Sequence, residues 1–279
     1  MENLKLTKRN IGNENVENKR TKFDEQVDSD GNGVIFGDSW VSVKRLESKL
    51  TGCKNLEPPH YQLNITPHAS NNKNYVKVLM LSEGGTTWKN IIDKKQKLKL
   101  WIESEPKWTV INTGACDISN RKLVLGLKDK GVGVEFVEFV IENIKSMLEF
   151  AKSSLEGKRY EEWCEKHTFL VAQLPDWCDF IQCREYGMES EEYRNIRRKV
   201  NHKLKLNKGK LYKEAKAIIF CPPSERPTMK GVHLDRASQE KYNDQIIRAI
   251  SKIVCDKCKI LEHNKNSIAN ILQPSKCDS

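Results

Sequence analysis

Short apolar runs separated by longer helical patterns make up the central part of the chain. The five runs are Val34–Phe36, Val76–Leu81, Trp108–Asn112, Thr168–Ala172 and Ala217–Phe220. Runs that are apolar along their whole length are typical of strands buried on both faces of a parallel sheet. Because helical patterns fill the intervals, the chain is predicted to form an open, doubly wound α/β sheet with helices on its faces.

Three longer segments predict helices. Two of them carry a stripe of apolar residues that recur at spacings of three and four, which is typical of core-facing helices. The first stripe lies between the third and fourth runs, and the second follows the last run. Their members are Val137, Val140, Ile141, Ile144, Leu148, Ala151 and Leu155, and then Tyr242, Ile246, Ala249, Ile250 and Ile253. Residues 188–213 are also predicted to be helical.

The ends of the chain differ in composition from its centre. Residues 1–30 are rich in Asn, Lys, Glu and Asp, which is typical of a disordered, solvated tail. We therefore expect one domain over residues 31–257 and a flexible tail over residues 258–279. A chain of 279 residues is long enough to bury the core of such a domain.

Composition predicts an intracellular protein without a membrane span. The mean hydropathy is −0.66, and no apolar run approaches the ~20 residues that a spanning helix needs. Met1–Asn10 is polar and lacks the apolar segment of a secretory signal. The nine cysteines, an odd number, then indicate reduced thiols and a cytoplasmic or nuclear location.

A basic segment near the fourth and fifth runs is a candidate surface for a polyanion. The chain carries 48 Lys and Arg against 38 Asp and Glu, a net charge of +10. Nine of these cations fall between Arg197 and Lys216, where Glu214 is the only acid. The polyanion-binding candidates are Arg197, Arg198, Lys199, Lys203 and Lys205. RNA or another polyanion is one interpretation; a solvated basic face is the other.

Candidate chemistry follows the predicted strands, where open α/β sheets place their sites. The first strand leads into Gly37-Asp38-Ser39, and the second leads into a loop with the paired glycines Gly84 and Gly85. The third leads into the segment 112–117, Asn-Thr-Gly-Ala-Cys-Asp. Lys230-Gly231-Val232-His233 precedes the last helix. Paired glycines leave backbone N–H groups open to a ligand.

These four segments, in this order, resemble the motifs of the SGNH (GDSL-type) hydrolases, and the resemblance covers about residues 33–255. It implies a three-layer α/β/α sandwich with a five-stranded, mostly parallel sheet in a flavodoxin-like order. It also implies that Ser39 is the nucleophile and His233 the base. The N–H groups of Ser39 and of Gly85, or less favourably Gly84, would hold the oxyanion. No Gly-x-Ser-x-Gly motif occurs in the chain, which argues against the α/β-hydrolase fold.

Two positions depart from the family pattern. Cys116 stands where the family has an asparagine that donates to the oxyanion, and loss of one such donor typically costs about 100- to 1000-fold in turnover. Lys230 stands where the family has the aspartate that orients the histidine, a loss of roughly 10,000-fold in the serine-protease template. Asp235 or Glu225 is an alternative acid for His233.

Two functional hypotheses follow from the motifs and their departures. One is a serine ester hydrolase that acts on a small acyl ester through an acyl-enzyme on Ser39. The other is a non-catalytic module of the same fold that binds RNA or another polyanion. Neither needs a cofactor, and nothing in the sequence specifies an oligomeric state.

Two further patterns resemble metal sites, but we predict no metal. Residues 28–39 match part of an EF-hand loop, yet the twelfth position, which needs a bidentate Glu, is Ser39. Cys255, Cys258 and His263 have spacings suited to zinc, but Ile268 occupies the expected position of the fourth ligand.

Overall fold

The computed structural model describes residues 32–51, 60–65, 75–119, 132–174, 190–220, 229–230 and 233–254. The strands within these ranges are β1 (Gly33–Gly37), β2 (Leu50–Thr51), β3 (His60–Asn64), β4 (Tyr75–Met80), β5 (Trp108–Asn112), β6 (Thr168–Ala172), β7 (Ala217–Phe220), β8 (Met229–Lys230) and β9 (His233–Leu234). The helices are α1 (Val43–Leu46), α2 (Trp88–Asp93), α3 (Lys95–Glu103), α4 (Ala115–Ser119), α5 (Val132–Ser154), α6 (Gly157–Lys166), α7 (Ser190–Leu206), α8 (Lys208–Ala215) and α9 (Arg236–Val254). A 3-10 turn covers Ser39–Val41.

The main sheet has seven strands in the order β2-β3-β4-β1-β5-β6-β7. The last five pair in parallel, and their order along the chain, second, first, third, fourth, fifth, is the flavodoxin-like order. Helices cover both sides of the sheet. The predicted three-layer α/β fold is therefore confirmed, and the five predicted runs all form parallel strands.

The strand count was predicted too low, because two antiparallel strands extend the sheet beyond β4. β3 pairs with β4, and β2 pairs with β3. In β3 the buried Tyr61 and Leu63 alternate with the more exposed Gln62 and Asn64. Such alternation is typical of an antiparallel strand with one face on the core, unlike the continuous apolar runs of the five central strands.

The helix predictions are confirmed with one difference. α5 and α9 carry the two predicted stripes, and Ile144, Tyr242 and Ile246 on them are buried. The segment predicted as one helix over residues 188–213 forms two, α7 and α8, with Asn207 between them. α5 packs against α2, α3, α7 and α8.

Two glycines in β1 allow close packing in the centre of the sheet. A Cβ built on Gly33 would lie 2.1 Å from the Trp108 ring, and one on Gly37 would lie 2.2 Å from Val41 Cγ2 and 2.8 Å from the Asn112 carbonyl oxygen. Distances this short are not tolerated between non-bonded carbon atoms. Glycine at position 37 therefore lets the end of β1 approach Val41 and Asn112, the last residue of β5.

The structure bears on the metal and membrane predictions only within its described ranges. Gly33–Gly37, within the EF-hand-like segment, is a strand of the main sheet, and residues 28–31 lie outside the described ranges. Cys255, Cys258 and His263 lie outside the described residues. In the ranges that are described, no group of three metal-ligating side chains converges, and no helix is long and apolar enough to cross a membrane.

Candidate active site

Ser39 lies directly after the central strand β1, in the first position of the 3-10 turn. The side chain of Asp38 caps this turn, since its Oδ1 accepts a hydrogen bond of 2.9 Å from the Trp40 N–H. Ser39 itself is half-buried. β1 stands between β4 and β5, where the strand order reverses, and open α/β sheets bind ligands at such a point.

The loop after β4 lies against the end of β1. Its backbone is held by hydrogen bonds from Leu81 N to Ile35 O (2.9 Å) and from Glu83 N to Gly37 O (2.8 Å). A Cβ built on Gly84 would lie 4.0 Å from Ser39 Cβ, whereas one on Gly85 has no atom within 4 Å. The structure therefore brings Gly84 beside Ser39, although the sequence had favoured Gly85.

The positive φ of 71° explains why Gly85 is a glycine. Neither the Gly84 nor the Gly85 N–H donates a hydrogen bond to another described residue. Both groups are therefore candidate oxyanion donors.

The loop after β5 is joined to the loop after β4. The Thr113 hydroxyl donates to the Thr86 carbonyl, and the Asp117 carboxylate accepts from the Trp88 N–H at 3.2 and 3.3 Å. Asp117 thus stabilises the N-terminus of α2, where a negative charge is favourable. Cys116, beside it, is half-buried at the position that the resemblance assigns to the oxyanion donor.

Two buried carboxyl groups near Ser39, Asp38 and Asp117, have raised pKa values and raise the pKa of Cys116. Burial raises the pKa of Asp38 to about 7, and the nearby Asp117 adds to this effect. Burial also raises the pKa of Asp117 to about 7. Burial and these two carboxylates raise the pKa of the Cys116 thiol to about 12. Cys116 is therefore a neutral thiol at pH 7, which donates hydrogen bonds weakly.

Helix α9 is bonded to the turn that carries Ser39. Gln239 Nε2 donates to the Trp40 carbonyl at 3.0 Å, and the Tyr242 ring packs edge-on against the Trp40 ring at 5.6 Å. The Tyr242 hydroxyl donates to Asn112 Oδ1 at the end of β5, and burial raises the pKa of this hydroxyl above its usual range. The sequence placed Tyr242 in an apolar stripe, and its spacing contains no signal for these polar contacts.

His233 is the first residue of β9, directly upstream of α9, and it pairs with Lys230 across the β8–β9 hairpin. Asp235, an alternative acid for His233, accepts a hydrogen bond of 2.8 Å at Oδ1 from Ser238 N in the first turn of α9. Glu225 lies outside the described residues. The hairpin and the cap together fix where the chain passes from β9 into α9.

Some cations of the basic segment are buried or bonded to other parts of the fold, and others are exposed to solvent. Lys208 is buried, Lys210 pairs with Glu138, and Lys216 Nζ donates to the Cys164 carbonyl at 2.6 Å. Among the candidates, Arg197 and Lys203 are half-buried. The exposed ones are Arg198, Lys199 and Lys205. The candidate polyanion surface is thus smaller than the sequence suggests and lies on α7.

Comparison with known proteins gives matches among solved structures. No family model matches the chain, and no curated protein matches it by sequence. A GDSL-like lipase from Bacteroides thetaiotaomicron is 15% identical with a TM-score of 0.46, over 81% of this chain and 90% of that one. A lipase/acylhydrolase from Enterococcus faecalis is 15% identical with a TM-score of 0.42, over 78% and 94%. The acetylxylan esterase Axe2 from Geobacillus stearothermophilus is 12% identical with a TM-score of 0.41, over 81% and 96%.

One of these neighbours is described as GDSL-like, the class that the four motifs resemble, and the other two as an acylhydrolase and an acetylxylan esterase. The similarity is low, so the fold assignment rests on the strand order of the chain itself. The functional argument rests on the residues around Ser39.

Proposed function

We propose that this protein is an SGNH-type serine ester hydrolase that acts on a small acyl ester. The observation that carries the proposal is the position of Ser39, half-buried after the central strand at the reversal of strand order, with Gly84 beside it. A serine in this position combines a nucleophile with nearby backbone N–H donors, which are the two elements that acyl transfer needs.

In the proposed reaction, Ser39 Oγ attacks the acyl carbon while its proton passes to His233. The N–H groups of Ser39 and Gly84 hold the oxyanion of the tetrahedral intermediate. His233 then returns the proton to the leaving alcohol as the carbon–oxygen bond breaks. A water molecule, deprotonated by His233, hydrolyses the acyl-enzyme and restores Ser39.

The two departures from the family pattern predict a slow enzyme. Cys116 is held neutral by burial and by the two neighbouring carboxylates, so it replaces a good oxyanion donor by a weak one. Lys230 supplies no carboxylate to orient His233. We therefore expect turnover at least about 100-fold below that of a complete SGNH site.

Hydrolysis of an aryl acetate tests this proposal. Ser39→Ala should abolish turnover, whereas Ser42→Ala should retain it, because Ser42 is also half-buried but its side chain makes no helix-capping hydrogen bond. Cys116→Asn should raise kcat by about 10-fold or more by restoring an amide donor. Equal turnover by wild type and Ser39→Ala would show that the activity does not come from this serine.

A further inference from the structure

A cleft of about 410 Å³ lies between α1 and the first turns of α9, apart from Ser39. Three cations line it: Lys44 and Arg45 on α1, and Arg236 at the start of α9. Three positive charges around one concavity repel one another, and a bound anion would reduce this repulsion. The cleft therefore has the charge pattern of an anion site.

Among the described residues, no carboxylate forms a salt bridge with Lys44, Arg45 or Arg236. The two carboxylates in the cleft wall are Glu47 and Glu240. Glu240 is already engaged by a different cation, Lys49, at 3.4 Å. Three cations against these two carboxylates leave the lining with a net charge of +1, so an anion is the favoured ligand.

The walls of the cleft are fixed before any ligand arrives. Asn243 Nδ2 donates to the Arg45 carbonyl at 2.9 Å and so ties α9 to α1. The Gln239 carboxamide, which also lines the cleft, donates to the Trp40 carbonyl and to Asn243 Oδ1 at 3.0 and 2.9 Å. The Ser48 hydroxyl adds a neutral donor to the same wall. The backbone of α1 and α9 that carries the three cations is therefore held in place without a ligand.

We propose that this cleft binds a phosphate monoester. Guanidinium groups match phosphate oxygens in pairs, an ammonium group adds a point charge, and a phosphate monoester carries close to two negative charges at pH 7. The source is a soluble phosphorylated compound or the headgroup of phosphatidate, which share this chemistry. The site does not depend on the reaction at Ser39, because none of the cleft-lining residues takes part in that chemistry.

The soluble arm of the test measures the melting temperature with glycerol 3-phosphate against sodium chloride at equal ionic strength. At a concentration about 20-fold above Kd, wild type should gain about 3–7 °C. The double variant Lys44→Gln/Arg236→Gln should lose most of this gain; both residues are exposed, so the variant should fold. The control is Arg248→Gln, which removes a charge at an exposed position on α9. This variant should show the same gain in melting temperature as wild type.

The lipid arm measures co-flotation with phosphatidylcholine vesicles that contain phosphatidate. The phosphate site is supported if the double variant loses binding in either arm while Arg248→Gln retains it. The arm in which this loss occurs identifies the source, a soluble phosphorylated compound or phosphatidate. If wild type and both variants respond alike in the two arms, or none responds, the cleft is not a phosphate site. Neither readout uses hydrolysis, so the result is separate from that of the Ser39 test.

Discussion

Acidification is expected to destabilise this protein through one buried histidine, His167. Its Nδ1 lies 2.6 Å from the Pro106 carbonyl, so Nδ1 carries the proton and donates. Its ring stacks on Trp163 at a centroid distance of 4.5 Å and meets Phe169 edge-on at 4.6 Å. Nε2 is buried, with no hydrogen-bond partner in the described part of the chain. A second proton on this ring would therefore have no acceptor.

The magnitude follows from the pKa of this imidazole. Burial lowers the pKa of His167 from 6.5 to about 3, the Pro106 carbonyl opposes the shift, and the charge of Lys216 adds to it. The pKa is lower in the folded state, so the unfolded chain takes up the proton first as pH falls. The stabilisation is complete above about pH 6.5 and is lost between there and about pH 3. From pH 7.5 to 4.5 the loss is about 2–3 kcal/mol.

Urea unfolding of wild type and His167→Phe at about pH 7.5 and pH 4.5 measures this effect. Phenylalanine keeps the aromatic packing, and the Pro106 carbonyl still accepts from Trp163 Nε1 at 3.0 Å. The variant should lose about 1 kcal/mol at the higher pH through the missing hydrogen bond, and should be the more stable protein at the lower pH. Other titrating groups are common to both proteins and cancel in the comparison. A stability difference that does not change with pH would refute the reasoning.

Three further perturbations test separate parts of the structure. Gly33→Ala should cost about 1–3 kcal/mol in urea unfolding, because its Cβ would meet the Trp108 ring at 2.1 Å; unchanged stability would contradict this packing. Asp117→Asn should gain about 1–4 kcal/mol of stability relative to wild type as pH rises from about 4 to about 7, because the unfolded wild-type chain releases the carboxyl proton in this range while the folded state retains it; a parallel pH dependence in both proteins would contradict the raised pKa. Arg198→Glu with Lys199→Glu should weaken RNA binding and lower the slope of log Kd against log salt by about 2; no binding by wild type at low salt would exclude the polyanion hypothesis.

Much of the fold could be predicted because its strands are buried on both faces. β5, β6 and β7 begin and end at the predicted residues, since their continuous apolar runs stop where the chain leaves the core. β3 was missed because one of its faces is partly exposed and polar residues on that face interrupt the apolar run. The break at Asn207 was missed because the apolar spacing continues through it, from the buried Leu204 to the buried Leu211.

The candidate site could be predicted only in part. The position of Ser39 follows from Gly-Asp-Ser placed after a buried strand, a local pattern. The proximity of Gly84 depends on how the loop after β4 packs on the end of β1, which residue spacing does not encode. Tyr242 lies 130 residues from its partner Asn112, so no local pattern connects them. Likewise, Asp38 has a raised pKa only because tertiary packing removes it from water.

Covalent labelling of Ser39 tests the central claim most directly. The intact protein would be treated with a fluorophosphonate, and the adduct would be located by mass spectrometry of peptides, with Ser39→Ala and Ser42→Ala treated in parallel. The account predicts one adduct, on Ser39, in wild type and Ser42→Ala, and none in Ser39→Ala. An unlabelled wild type, or an adduct on any other residue that persists in Ser39→Ala, would contradict a nucleophilic role for Ser39.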